Sequence, residues 1–169
     1  WPTCAANLRG GAIPRDYIVR DARPGSGGSH IWAFDEELNL LFSIDDVYPR
    51  YGHAYSIGFL DMNADGREEL YIGASLYNAD GELLWRSESA DEMAHIPFGG
   101  HVDAIAVGNF ADDSELDPVL FACVQSAGVY VINGLTGETL SVHRVGHGQG
   151  CFAGNFRPDI PGVEVLVGD

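Results

Sequence analysis

A short acidic stretch at positions 61–69, Asp-Met-Asn-Ala-Asp-Gly-Arg-Glu-Glu, has the clearest chemical potential in the chain. Side-chain oxygens occupy its first, third and fifth positions, and a carboxylate closes it. Ca²⁺ takes about six to eight hard oxygen ligands from a loop of this kind, and the glycine at the sixth position permits the positive φ that curls a chain around an ion. The predicted ligands are the side chains of Asp61, Asn63, Asp65 and Glu69 and the main-chain carbonyl of Arg67.

The surroundings of this loop separate it from an EF-hand. The downstream half of an EF-hand loop is missing here, and β-rich segments lie on both sides of positions 61–69. A bound ion would therefore stabilise a connection between two strands. The alternative is an Asp-, Asn- and Gly-rich turn that holds no metal.

Related loops recur along the chain with fewer ligands. Positions 109–117 keep Asn109, Asp113 and Asp117 but lack a glycine, and positions 155–164 keep Asp159 and Glu164. Arg157 places a cation where a ligand belongs, and the stretch at 7–11 has almost no ligand left. We expect one complete metal loop, one marginal loop and two structural turns.

A Gly-His pair opens three segments of the chain, at His53, His101 and His147, which are 48 and 46 positions apart. Each pair leads into an apolar run, one of these loops and a second apolar run. Where the segment continues, an aromatic-bearing strand, a Gly turn and a last strand follow. Four short strands per unit of about 40 to 50 residues is the pattern of a β-propeller blade.

The repeat therefore predicts an all-β fold of four-stranded antiparallel β-propeller blades with almost no helix. The predicted blade pieces cover residues of about 1–49, 50–98, 99–145 and 146–169. Propellers need at least about four blades to close. We therefore expect this partial β-propeller of about three and a half blades to belong to a larger propeller, completed by blades of the same or another chain.

Charge and composition exclude several classes of partner. A net charge of −16 argues against nucleic acid and against anionic membrane surfaces. The sequence has no apolar run long enough for a membrane span. Its three cysteines show no metal-binding spacing, and we expect Cys4 and Cys151 to fill core positions rather than pair. Calcium loops of millimolar affinity work outside cells, which predicts an extracellular protein, secreted or on the cell surface.

Two stretches carry a resemblance to a known family. Residues 31–35 (Ile-Trp-Ala-Phe-Asp), the Gly52-His53 start and the loop at 61–66 form one series, and His147 with the loop at 155–165 forms the other. The chain resembles propeller-type polysaccharide lyases, with rhamnogalacturonan lyases closest and ulvan and rhamnose–glucuronate lyases more distant. Gln149 stands where rhamnogalacturonan lyases carry Asp. Integrin-like and lectin propellers share the calcium loop but not the Gly-His starts.

The resemblance implies a secreted, calcium-stabilised enzyme that cleaves a uronate-containing polysaccharide by β-elimination. Neutral His can remove the C5 proton, a Tyr hydroxyl can protonate the leaving oxygen, and Arg can neutralise the uronate carboxyl. The predicted catalytic residues are His53, Tyr55 and His101, and the predicted substrate-binding residues are Arg50 and His147. The histidines could instead be a structural hydrogen-bonding device copied with the blades. The alternative function is a non-catalytic calcium-binding propeller for carbohydrate or protein binding or for extracellular assembly.

Overall fold

The computed structural model describes residues 3–22, 29–45, 56–88, 101–110 and 118–168. Across these ranges the chain is all-β with almost no helix, which confirms the predicted fold class. The strands are β1 (Thr3–Ala6), β2 (Asp16–Ala22), β3 (Ser29–Phe34), β4 (Leu40–Ile44), β5 (Ile57–Leu60), β6 (Glu69–Ile72), β7 (Ser75–Tyr77), β8 (Leu83–Arg86), β9 (Val102–Gly108), β10 (Val119–Val124), β11 (Gly128–Asn133), β12 (Thr139–His143), β13 (Gly150–Gly154) and β14 (Glu164–Gly168). A 3₁₀ turn, Gln125–Ala127, links β10 to β11.

The strands pair in chain order. Three sheets have four strands each, ordered β1-β2-β3-β4, β5-β6-β7-β8 and β9-β10-β11-β12, and β13 pairs with β14. Every pairing is antiparallel. We call these sheets blades 1 to 3 and the β13–β14 pair blade 4.

The first strands of successive blades lie beside one another. Strand β9 contacts both β5 and β13 as well as its own neighbour β10, and the Ser56 hydroxyl donates to the main-chain carbonyl of Asp103 at 3.1 Å. The fourth strands are the most exposed, β12 almost along its whole length. First strands innermost and fourth strands outermost is the arrangement of propeller blades.

One apolar core runs through the first three blades. It is densest in the second and third strands of blade 2, where Leu70, Tyr71, Ile72 and Leu76 are fully buried. These strands read as continuous apolar runs because both of their faces are covered by neighbouring blades. The Tyr71 hydroxyl and the Trp85 indole N–H both reach the Gly134 carbonyl of blade 3, at 3.0 and 3.2 Å.

Neighbouring blades interlock through a turn glycine and an aromatic ring. The turn between the last two strands of blade 2 places Gly81 against Phe42 of blade 1, and the matching turn of blade 3 places Gly137 against Trp85 of blade 2. Both glycines have positive φ, +82° and +77°. A Cβ at Gly137 would lie 2.7 Å from the Trp85 ring. Glycine is therefore needed in these turns for two reasons: it adopts positive φ without strain, and its lack of a Cβ lets the neighbouring ring approach.

An Asx side chain shapes each of the same turns. Asn133 Oδ1 accepts the main-chain N–H groups of Leu135 and Thr136 at 2.9 and 3.0 Å. Asn78 and Asp35 each accept the main-chain N–H groups two and four positions later in blades 2 and 1. A hydrogen bond from the Asn39 side chain chiefly holds the pKa of Asp35 below its ordinary value. Such residues end a strand by offering the backbone a local partner.

Replacing Gly137 with Ala tests the interlock. The new methyl group would meet the Trp85 ring, and the residue would keep an unfavourable positive φ, so we expect a loss of about 2–3 kcal/mol in the free energy of unfolding. Gly146→Ala is the matched control, because Gly146 has φ +88° and a Cβ added there would meet nothing within 4 Å; its loss should be about 1 kcal/mol. Equal losses in urea unfolding would contradict tight packing against Trp85.

Candidate functional site

Two of the repeated histidines meet on one carboxylate. His101 Nε2 lies 2.7 Å from Asp103 Oδ1, and His147 Nε2 lies 3.2 Å from Asp103 Oδ2. The Asp103 side chain is 10% exposed, His101 18% and His147 35%. The group therefore sits in a partly desolvated position that still opens to solvent on the His147 side. We call these three residues the histidine–aspartate cluster.

The inner strands of blades 3 and 4 position this cluster. His101 directly precedes β9 and Asp103 is its second residue, so the two side chains lie on one side of an extended backbone. His147 approaches from the connection between β12 and β13. That connection runs close to blade 3, because Gly148 is buried and a Cβ there would lie 3.3 Å from Cys123 Cβ.

The shared carboxylate orients both imidazoles, because a carboxylate accepts hydrogen bonds and each ring faces it with Nε2. A carboxylate behind a histidine orients the ring and stabilises the imidazolium that forms when the ring takes a proton. The cluster can thus support general-base chemistry with either ring.

The structure places the predicted site residues unequally. It brings His101 and His147 together, whereas Arg50, His53 and Tyr55 lie outside the described residues, and their assignments stay predictions. Asp103 was not predicted. The available signal was its spacing, since Asp103 follows His101 by two positions as Tyr55 follows His53 and Gln149 follows His147.

In the acidic loop at 61–69, side-chain oxygens accept hydrogen bonds from the main chain of the same loop. Asp61 accepts the main-chain N–H groups of Asp65 and Gly66 at 3.1 and 2.9 Å, and Asn63 Oδ1 also accepts that of Asp65 at 2.9 Å. The Asn63 amide nitrogen lies 3.1 Å from Asp65 Oδ2 and 3.4 Å from Glu69 Oε1. The four predicted side-chain ligands thus belong to one compact hydrogen-bonded loop, in which the Asn63 amide nitrogen lies beside the Asp65 and Glu69 carboxylates and Gly66 has φ +87°.

The electrostatics of this loop fit a cation. Glu69 is 3% exposed. Burial, and then the negative charges of Asp65 and Asp61, raise the pKa of Glu69 above its ordinary value, which the Met62 N–H partly offsets. A divalent ion would relieve both costs, and the donor set is the all-oxygen kind that Ca²⁺ prefers. Nevertheless, no three His, Cys, Asp or Glu side chains within the described ranges already form a metal-binding group.

Glu69 also has a structural task that the other loops share. Its Oε2 accepts the Met62 N–H at 2.9 Å. In the same way Glu164 accepts two main-chain N–H groups of the blade 4 loop, and Asp16 accepts two in blade 1. This carboxylate therefore closes a strand-to-strand loop whether or not the other metal-binding side chains are present.

The degraded copies use their polar groups internally. In the blade 4 loop, Arg157 pairs with Asp159 at 2.7 Å, as expected for a cation in a ligand position. In blade 1, Asn7 bonds to Gly11 in both directions. Asn109 is described in blade 3, whereas Asp113 and Asp117 lie outside the described residues.

The Arg67 side chain, unlike its predicted carbonyl role, has a structural function. Its Nε donates to the Leu8 carbonyl at 2.6 Å, and its two terminal nitrogens pair with Asp80 at 2.6 and 3.1 Å. The adjacent Glu68 accepts the Asn7 N–H at 2.7 Å and donates its own N–H to the Asn7 carbonyl at 2.9 Å. The acidic loop of blade 2 is thereby fastened to the first loop of blade 1.

Comparison with known proteins gives structural neighbours. No family model matches the chain, and no curated protein matches it. Solved structures do: rhamnogalacturonan lyase YesW (TM-score 0.72, 18% identity), Bacillus licheniformis rhamnogalacturonan lyase PL11 (0.72, 20%) and exotype rhamnogalacturonan lyase YesX (0.70, 22%). Each match covers 98% of this chain and 27–28% of the lyase chain.

The fold of this chain resembles that of rhamnogalacturonan lyases, as the sequence motifs indicated. A fourth structure, the V. cholerae biofilm matrix protein Bap1, matches 82% of this chain and 22% of its own at a TM-score of 0.53 and 21% identity. The chain spans under a third of the length of these proteins. No helix in the described part of the chain is long and apolar enough to cross a membrane.

Replacing Arg67 with Gln tests the fastening of blade 2 to blade 1. The variant loses a hydrogen bond to Leu8 and an ion pair with Asp80, so we expect a loss of about 1–2 kcal/mol in the free energy of unfolding, measured in chelator. Arg157→Gln is the control, because its partner Asp159 lies in the same exposed loop; its effect should stay within about 0.5 kcal/mol. Matching effects of the two variants would contradict the role of Arg67 between blades.

Proposed function

We propose that this chain is part of a polysaccharide lyase that cleaves a uronate-containing polysaccharide by β-elimination. The histidine–aspartate cluster carries the proposal, because two imidazoles share one partly buried carboxylate beside the innermost strands. The likeness to rhamnogalacturonan lyases supports it at the level of the fold. His101 bonds an acid of its own blade, as a structural device copied with each blade would, but His147 reaches that same acid from the neighbouring blade.

The proposed chemistry divides between the two histidines. His101, held by Asp103, is the candidate base that removes the C5 proton of the uronate, after which the C4–O bond breaks and an unsaturated uronate forms. Asp103 stabilises the imidazolium and returns the ring to its starting tautomer when the proton leaves. His147 is the candidate to bind a flanking sugar, because it is the more exposed of the two rings and belongs to the next blade.

The remaining roles rest on residues that the sequence nominates. His53 and Tyr55 remain candidates for proton transfer, and Arg50 for pairing with the uronate carboxyl. A positive group is needed there, because a chain of net charge −16 otherwise repels an acidic polysaccharide.

We further propose that the loop at 61–69 binds a structural Ca²⁺. The oxygens of Asp61, Asn63, Asp65 and Glu69 would hold the ion, with the carbonyl of Arg67 as a further ligand. The ion would neutralise the loop and stabilise the β5–β6 connection that is fastened to blade 1. A calcium requirement of this kind fits an extracellular protein.

A non-catalytic role is the second candidate. Bap1 is a biofilm matrix protein with a similar arrangement over 82% of this chain. A calcium-stabilised propeller used for carbohydrate or protein binding, or for extracellular assembly, would share the fold and the metal loop without turnover. Activity measurements separate the two.

Histidine variants test the lyase proposal. With rhamnogalacturonan or another uronate polymer as substrate, His101→Ala should lower the rate of unsaturated uronate formation by about 10²- to 10⁴-fold. Ultraviolet absorbance of the product is the measurement. His143→Ala is the control, because His143 is exposed on the outer strand β12 and should leave the rate unchanged. An unchanged rate for His101→Ala on a confirmed substrate removes it from the mechanism, and no product from any uronate polymer favours the binding role.

Calcium titration tests the metal proposal. An ion that binds only the folded loop adds about 1.4 kcal/mol to the free energy of unfolding at ten times its Kd. Asp65→Ala should remove this calcium-dependent gain while changing stability little in chelator. Asp159→Ala, in the loop where Arg157 occupies the carboxylate, should keep the gain. Equal gains in wild type and Asp65→Ala would place the ion elsewhere or nowhere.

The pH dependence of stability in chelator gives a second measurement. Because the pKa of Glu69 is raised in the folded state, its contribution is fully present at low pH and is lost as pH rises through that folded pKa. As pH rises from the ordinary pKa of a glutamate through the raised pKa of Glu69, the free energy of unfolding of wild type should therefore fall relative to that of Glu69→Gln. Added calcium should reverse the trend, since ligands must be deprotonated to bind. If the difference in free energy of unfolding between wild type and Glu69→Gln does not vary with pH, the raised pKa of Glu69 is contradicted.

A further inference from the structure

Two of the three cysteines meet between blades 3 and 4. Cys123 lies in β10 and Cys151 in β13, and Cys151 packs against the cluster formed by Cys123, Ala104 and Val129. Cys123 Sγ lies 3.8 Å from the carbonyl oxygen of Gly150, the residue before Cys151. Cys123 thus lies against the first two residues of β13, Gly150 and Cys151. Both are free thiols in this structure.

The two thiols differ in exposure and in acidity. Cys123 is fully buried, whereas Cys151 is partly exposed. The hydrogen bond from Cys123 lowers the pKa of Cys151 against the opposing effect of burial, and the same contact together with burial and the charge of Asp103 raises the pKa of Cys123. A reactive cysteine has an accessible sulfur with thiolate character, and a resolving cysteine lies beside it.

We propose that Cys123 and Cys151 form a disulfide that links β10 of blade 3 to β13 of blade 4 when the protein meets a low-molecular-weight disulfide. The Cys151 thiolate attacks one sulfur of the small disulfide, breaks its S–S bond and releases one small thiol. Cys123 then loses its proton and attacks Cys151 Sγ, forming the protein disulfide and releasing the second small thiol. The protein loses two electrons and two protons, and the small disulfide is reduced to two thiols.

The link would lie next to the histidine–aspartate cluster. Cys123 is paired in register with Ala104, the neighbour of Asp103. Gly148, the neighbour of His147, packs onto Cys123 with a Cβ position 3.4 Å from its Sγ. A covalent bond at this point joins the strand beside Asp103 to the strand that follows His147. The disulfide would therefore hold the two histidines in register across the boundary between the blades.

Thiol counting and mass spectrometry after oxidation test the proposal. The reduced chain is incubated with oxidised glutathione, alkylated and digested without reductant. We expect the titratable thiols to fall from three to one, the intact mass to fall by about 2 Da as two hydrogens leave, and a peptide joining Cys123 to Cys151 to appear. Cys4→Ser should still form the link, whereas Cys151→Ser should form none and leave Cys4 and Cys123 as thiols or glutathione adducts.

Thermal unfolding of the same samples gives an independent readout. Closing a loop between positions 28 apart should raise the Tm of the oxidised chain by about 5–10 °C over the reduced chain. The rise should persist in Cys4→Ser and vanish in Cys151→Ser, whose reduced form controls for folding. Three titratable thiols after equilibration, stable glutathione adducts on Cys151 in the wild type, or a link that involves Cys4 would overturn the proposal. None of these outcomes depends on lyase activity.

Discussion

The structure depends on the packing of one twisted four-stranded sheet against the next. A single sheet of this size has two faces, and neither can be buried without a neighbour. Trp85 shows how the neighbour is engaged, since its ring receives the turn glycine Gly137 of the following blade while its indole N–H reaches Gly134. Tyr71 makes a second bond to the same carbonyl from deeper in blade 2. Because the contact recurs at Phe42 and Gly81, blades 2 and 3 are each aligned by the blade before them.

This alignment is also what creates a site. Blades that pack face to face bring their first strands side by side, so groups at the start of each repeat become neighbours although they lie almost fifty positions apart. Asp103 lies in β9, between the innermost strands of blades 2 and 4, and contacts Ser56 through its carbonyl and His147 through its carboxylate. A polar group at this position links three repeats. The proposed chemistry therefore belongs to the boundary between blades and would be lost if the blades separated.

The sequence was informative where a property repeats within one blade. The Gly-His starts, the Gly turns at Asp80 and Thr136, and the apolar runs predicted the blades, because each reflects a local rule of strand or turn formation. Contacts between blades were not predictable in this way. The position of Asp103 two residues after His101 is a repeated spacing, but the sequence does not show that His147 of the next repeat contacts it. The Arg67 side chain likewise shows no local sign of its partners, since its charge pairs with Asp80 and its Nε binds the Leu8 carbonyl of blade 1.

The loops show how a metal site can arise from a structural one. Asp16, Glu69 and Glu164 all accept main-chain N–H groups at the start of a second strand, so this carboxylate is needed by the fold before any ion is considered. Among the loops that the structure describes in full, that of blade 2 adds Asp61, Asn63 and Asp65 around it; burial, and then the charges of Asp65 and Asp61, raise the pKa of Glu69. The blade 4 loop balances its charge with Arg157 instead. Arg67, the cation of the blade 2 loop, pairs with Asp80 instead, so a bound cation would offset carboxylate charge that this pair leaves in the loop. The proposed calcium at positions 61–69 would therefore be held by the carboxylate charge of the loop as much as by the spacing of its ligands.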